Sequence, residues 1–107
     1  MDKGIRAPKV HELKTDPDLF EQSWEGNKPW EIRFDDRGFK IGDKLMLKET
    51  RYTGDEMTSG QALHYTGRVI LCEITYILTD QYGLKDGWAV ITVEKLTQEA
   101  FKSGGND

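Results

Sequence analysis

The amino-acid sequence predicts an α+β fold, a curled sheet of five to six strands or a small β-barrel with one N-terminal helix packed on it. Three observations carry that expectation. Residues 16–25 have helical apolar spacing between a strong start and a strong stop, several later segments alternate with a period of two, and glycine-containing turns separate them. At 107 residues the chain is long enough for one hydrophobic core and too short for two. A single domain is expected over residues 9–97, between a flexible N-terminus at 1–8 and a tail at 98–107, and neither end is expected to carry function.

Residues 9–14 read as a first strand, to which Val10 and either His11 or Leu13 contribute according to the face that is buried. Thr15-Asp16-Pro17 then starts a helix, because an Asp16 carboxylate accepts from free N–H groups of the first turn and Pro17 has no N–H to satisfy there. The helix is expected to run to about Glu25. Leu19, Phe20, Ser23 and Trp24 share one stripe, which makes Phe20 and Trp24 core side chains, and Gly26 supplies the left-handed stop.

A strand over Trp30 to Phe34 sends Trp30, Ile32 and Phe34 to one face and Glu31 and Arg33 to the other. Hydrophobicity assigns the first set to the core. Glu31 and Arg33 then form a pair toward solvent, with Lys28 and Arg33 at least partly exposed. Turns at Asp35–Gly38 and Lys40–Asp43 lead to a strand over Lys44–Glu49 with Leu45 and Leu47 inward. Residues 50–67 are polar, contain three glycines and are long for a connection in so small a domain, as a binding loop or a mobile hairpin tip would be. The central strand follows at Val69–Leu78, with Ile70, Cys72, Ile74, Tyr76 and Leu78 on an unbroken apolar face. A turn at Tyr82–Gly87 precedes a last strand over Trp88–Glu94, with Ala89, Ile91 and Val93 on one side.

Composition narrows the function. With 15 basic and 19 acidic side chains and a net charge of −4, the chain lacks the basic surface that non-specific phosphate binding needs, so duplex DNA is not the expected partner. A local basic pocket remains open. The lone Cys72 cannot form an internal disulfide, which points to a reducing compartment, and on a buried face it reads as a small hydrophobe rather than a nucleophile. One cysteine and two separated histidines, His11 and His64, make no zinc set, so neither a metal nor another cofactor is expected. No apolar run is long enough to span a bilayer and no signal peptide is evident, so a cytoplasmic location without a membrane partner is expected.

The richest stretch chemically is Gly26-Asn27-Lys28-Pro29-Trp30-Glu31-Ile32-Arg33. Lys28 and Arg33 suit a phosphate or a base carbonyl, Glu31 suits an exocyclic amine, and Tyr52, Tyr65 or Tyr82 supplies a ring to stack on. Arg37 and Arg68 are rim candidates. The ligand class is a planar polar molecule, RNA in single-stranded form or a nucleotide-like small molecule. Two other readings stay open: a small hydrolase with Lys28 as base and Glu31 assisting, and a protein partner for the acidic exterior.

Taken in order, His11–Thr15, the helix, Gly26–Arg33, Gly42–Leu45, Tyr65–Arg68 and Tyr82–Trp88 resemble the ASCH domains of the PUA-like superfamily over roughly residues 9–95, most closely a short, largely uncharacterised bacterial and phage branch. The resemblance implies a small β-barrel with one or two helices, a cleft between them, and binding of RNA or nucleotide derivatives. Some ASCH proteins are amidohydrolases acting on acetylated cytidine through a lysine, a threonine three residues later and a downstream glutamate. Lys28 matches the lysine. Glu31 stands where the threonine would be, which removes that nucleophile, and Glu73, Asp80 and Asp86 are the candidates for the downstream acid.

Overall fold

The alternating segments pair into one five-stranded sheet, seen in a computed structural model that describes residues 6–101. The elements in chain order are β1 (Val10–Thr15), α1 (Pro17–Trp24), β2 (Trp30–Phe34), β3 (Lys44–Thr50), α2 (Gly54–Thr58), β4 (Tyr65–Thr79) and β5 (Trp88–Ala100). Their order across the sheet is β1-β3-β4-β5-β2, with β1 parallel to β3 and the other neighbours antiparallel. The sheet curls into a half-barrel whose two edge strands, β1 and β2, are joined by side chains. Arg33 donates from Nη1 to the Lys14 carbonyl at 3.1 Å, and Arg37 from Nη1 to the Glu12 carbonyl at 2.9 Å.

Leu13, Leu45, Leu47, Ile70, Cys72, Ile74, Ala89 and Ile91 form the buried face of the sheet, and α1 covers it with Phe20. Phe39, from the link between β2 and β3, completes this core and meets the His11 ring edge-on at 4.9 Å. In β1 both His11 and Leu13 are buried, and Val10, expected to contribute beside one of them, is exposed, because alternate residues of a strand face opposite sides. Residues 1–5 and 102–107, where part of the flexible ends was expected, lie outside the described residues.

Five further expectations need correction. Trp30, Ile32 and Phe34 do not enter the core: they are 39%, 49% and 51% exposed, while Glu31 is 3% exposed. The period of two holds, but the parity is inverted, because the ladder sets Glu31 opposite Ile91 and Arg33 opposite Ala89, both core positions. The face of β4 is not unbroken either. The register slips between Ile74 and Tyr76, and beyond this bulge Ile77, opposite Ile91, packs on the core while Tyr76 is exposed.

The segment 50–67 contains α2, started by a capping box in which Thr53 Oγ1 accepts from the Glu56 N–H and Glu56 Oε1 accepts from the Thr53 N–H. Asp16 does not cap α1; its Oδ1 accepts from the Gly54 N–H, tying this segment to the β1–α1 junction. Finally, β5 continues to Ala100 opposite Arg68, three residues past the expected domain end.

Candidate functional site

Helix α1 ends at Trp24, Gly26 turns the chain at φ +86°, and Lys28 then folds back beneath the helix end. Its Nζ donates to Ser23 Oγ at 3.3 Å, to the Trp30 carbonyl at 2.9 Å and to Glu31 Oε2 at 2.6 Å. An ammonium has three N–H bonds, and all three are engaged. On the other side of the carboxylate, Arg33 donates from Nε and Nη2 to Glu31 Oε1 at 3.1 and 2.9 Å. Its Nη2 also reaches Thr15 Oγ1 at 3.2 Å. Glu31 therefore lies between two cations with almost no exposure, and Lys28 is itself only 8% exposed. Of the group expected on the surface, Lys28 and Glu31 are buried, and Arg33 alone stays partly exposed, with a quarter of its side chain open.

This triad walls a cleft of about 410 Å³ between the end of β1, the start of α1 and β2. Lys14, Thr15 and Asp16 line it from one side and Lys28, Trp30, Glu31 and Arg33 from the other. The Lys28 ammonium lies 5.1 Å from the Trp30 ring centroid, a distance at which the ring face attracts the charge. Lys28 also borders a second cavity, of about 210 Å³, whose lining is mainly apolar and includes Leu47, Ile70, Cys72 and Val93. Burial, reinforced by the Glu31 charge, pushes the Cys72 thiol up to about 12, so it is inert near neutral pH, as expected of a small core hydrophobe.

The other candidates fall elsewhere. Arg37 joins the edges of the sheet and lines a neighbouring depression of about 330 Å³, which shares Ile32 and Arg33 with the cleft. Arg68 does not line the cleft: it donates to both Glu49 oxygens and to Glu21, with its guanidinium 4.7 Å from the Trp24 ring and 5.2 Å from the Phe20 ring. Hydrogen bonds to Glu49 raise its pKa despite burial, and it pins α1 to β3. Tyr65 sits beneath Lys48, at 4.4 Å, and Tyr82 is 91% exposed on the turn before β5. Neither ring lines the cleft, and neither does Tyr52, Glu73, Asp80 or Asp86.

Sequence reasoning missed Lys14, Thr15, Asp16 and Trp30 as cleft residues. The signal present was the helix start itself, since a chain that turns from an edge strand into a helix gathers side chains from both elements at that corner. It also missed Asp43 as a buried anchor. The Asp43 carboxylate accepts from Arg6 Nη1 and Nη2 (3.1 and 2.9 Å), the Lys9 N–H (3.0 Å), the Lys40 N–H (3.1 Å) and His11 Nε2 (2.9 Å). Because an ionised carboxylate only accepts, His11 carries its proton on Nε2. Among the described residues no group of histidine, cysteine and acidic side chains is arranged to hold a metal ion, and no helix is long and apolar enough to cross a membrane.

Fold and site together define a small α+β half-barrel domain with a charged cleft at the seam of its sheet. A family model described as a domain of unknown function (DUF3850) matches residues 10–93, and the chain belongs to that family. The match spans the whole Lys28–Glu31–Arg33 triad. No curated protein matches the chain.

Proposed function

We propose that this protein is a binding module for RNA or a nucleotide-like ligand, of the ASCH type within the PUA-like superfamily, and that the cleft receives one planar base. The observation that carries this reading is the Glu31 carboxylate held between the Lys28 ammonium and the Arg33 guanidinium in the wall of a cleft of about 410 Å³. Burying the Lys28 and Glu31 charges gives little stability that well-packed apolar side chains would not give. A cleft of that volume suits a small ligand with a few fixed polar contacts. Glu31 offers an acceptor to an exocyclic amine, Arg33 and Lys14 offer positive charge to a carbonyl or phosphate, and Trp30 replaces the expected tyrosines as the stacking ring.

A hydrolase is the second reading, favoured by the buried Lys28–Glu31 pair and by the acetylcytidine amidohydrolases among ASCH domains. The three engaged N–H bonds of Lys28 weigh against it, because a general base must first give up one of those protons. Titration calorimetry with cytidine, adenosine, uridine and cytidine monophosphate tests the binding reading. Cytidine or adenosine is expected to bind more tightly than uridine, and Glu31→Gln to erase that preference while remaining folded by circular dichroism, though less stable because Lys28 and Arg33 lose their shared carboxylate. Absence of binding to all four ligands, or equal preference in both proteins, would sink it. Wild type incubated with acetylated cytidine is expected to release no cytidine, and turnover would promote the hydrolase reading.

A further inference from the structure

Edge strand β2 presents Trp30, Ile32 and Phe34 on one side, all more than a third exposed. Trp88, the ladder partner of Phe34, adds a fourth large apolar side chain, its ring centroid 6.0 Å from that of Phe34 at an interplanar angle of 70°. An uncovered apolar row on a sheet edge marks a surface that something else covers. Its surroundings say what. The 410 Å³ cleft shares Ile32 and Arg33 with the 330 Å³ depression that Phe34, Arg37 and Trp88 line. That depression in turn shares Ile32 and Trp88 with a third, of about 290 Å³, reaching Lys85. The three adjoin one another along β2 through these shared residues.

Lys14, Lys28, Arg33, Arg37 and Lys85 line the groove against only three carboxylates, Asp16, Glu31 and Asp36, an excess of positive charge on a chain whose net charge is −4. Protein interfaces deplete charge from their cores, whereas cations interleaved with aromatic rings are what single-stranded nucleic acid uses. We infer that the cleft is the first position of a groove for single-stranded RNA, in which the nucleotides after the cleft-bound base stack on Phe34 and Trp88 and pass their phosphates along Arg37 and Lys85. This rests on the nucleotide reading of the cleft. Strand geometry gives the scale: four residues of β2 separate Trp30 from Phe34 by about 13 Å, room for a base at each with a nucleotide between them. The ligand is therefore a segment of about three nucleotides rather than a mononucleotide.

The test is affinity against length, with the full chain titrated with cytidine monophosphate, a cytidine trinucleotide and a cytidine hexanucleotide. The trinucleotide is expected to bind about tenfold or more tightly than the mononucleotide, with little further gain for the hexanucleotide. Phe34→Ala is expected to lose about tenfold against the trinucleotide and nothing against the monophosphate, and Phe34→Trp to restore the loss. Lys85→Gln, at an exposed turn position, is expected to reduce the slope of log affinity against log salt by about 0.7, the contribution of one phosphate contact on a single strand. A monophosphate that binds as well as the trinucleotide overturns the groove and leaves the cleft reading standing. A trinucleotide that binds in a Phe34-dependent way without any binding of the monophosphate does the reverse. Concentration-dependent dimers in sedimentation that Phe34→Ala disperses, with no RNA bound at any length, would make the row a protein interface and overturn the inference.

Discussion

Each N–H bond of the buried Lys28 meets an acceptor, and Lys28 and Arg33 flank the two oxygens of Glu31. Removing Lys28 leaves the buried Glu31 with Arg33 as its single cation, so Lys28→Ala is expected to destabilise the fold by at most about 3–5 kcal/mol, the magnitude seen when a buried pair is broken from one side. The double variant Lys28→Ala with Glu31→Gln is expected to lose less than Lys28→Ala alone, since no buried carboxylate then lacks the Lys28 contact at Oε2. Urea midpoints of the two variants decide the matter, and equal midpoints would mean that the Glu31 charge is not what Lys28 offsets. Asp43 is the second buried charge with a consequence. Burial alone would raise its pKa, but hydrogen bonds from Arg6, His11 and the backbone N–H groups of Lys9 and Lys40 outweigh that and hold it well below the usual carboxylate range. A lowered pKa in the folded state contributes stability above the ordinary carboxylate pKa of about 4, and that contribution disappears as pH falls toward the folded value. Urea unfolding at a series of pH values is therefore expected to show wild type losing stability below about pH 4, with Asp43→Asn less stable at neutral pH and flatter across the acid limb.

At the scale of elements, β4 shows where alternation is a sound guide and where it stops. Ile70, Cys72 and Ile74 all face the core as their spacing implies, so Ile74→Ala is expected to cost about 2–5 kcal/mol, a large share of a small domain's stability. Thr75→Ala removes only an exposed hydroxyl bonded to Thr92 and is expected to cost far less; equal shifts of the urea midpoint would contradict this placement. Beyond Ile74 the bulge exchanges the faces, and nothing in the order of residues announces it, because the extra residue is defined by the pairing with β5. Strand β2 failed for a related reason. Its extent was legible to the residue, but its parity was assigned by hydrophobicity, and hydrophobicity misleads where an edge strand has an uncovered side and an inward carboxylate has buried cations to meet it. The legible part of the site was therefore its membership, Lys28, Glu31 and Arg33. Its burial was not, since this depends on Ser23, Thr15 and Ile91, which come from three other elements.

For the molecule as a whole, the decisive feature is that the barrel is left open and bridged by arginines. A sheet closed by a backbone ladder has no edges, whereas this one keeps β1 and β2 unpaired with each other, and the carbonyls of Glu12 and Lys14 accept from Arg37 and Arg33 in place of a fifth set of strand bonds. The cleft lies along the same seam, with Lys14 and Thr15 on one bank and Trp30 to Arg33 on the other, so closing the half-barrel and shaping the cleft are the work of the same side chains. If that is so, loosening the seam should release β1 before the rest of the sheet, because β1 has only β3 as a ladder neighbour while β4 and β5 are held on both sides. Replacing Arg33 and Arg37 together by glutamine is expected to speed amide hydrogen exchange across Val10–Thr15 while leaving Val69–Ile74 at wild-type rates, and to weaken nucleoside binding in proportion to that opening. Exchange that rises uniformly over the sheet would show that the arginines contribute only to global stability. Unchanged exchange in β1 would show that its ladder with β3 suffices, and that the two bonds across the seam hold nothing shut.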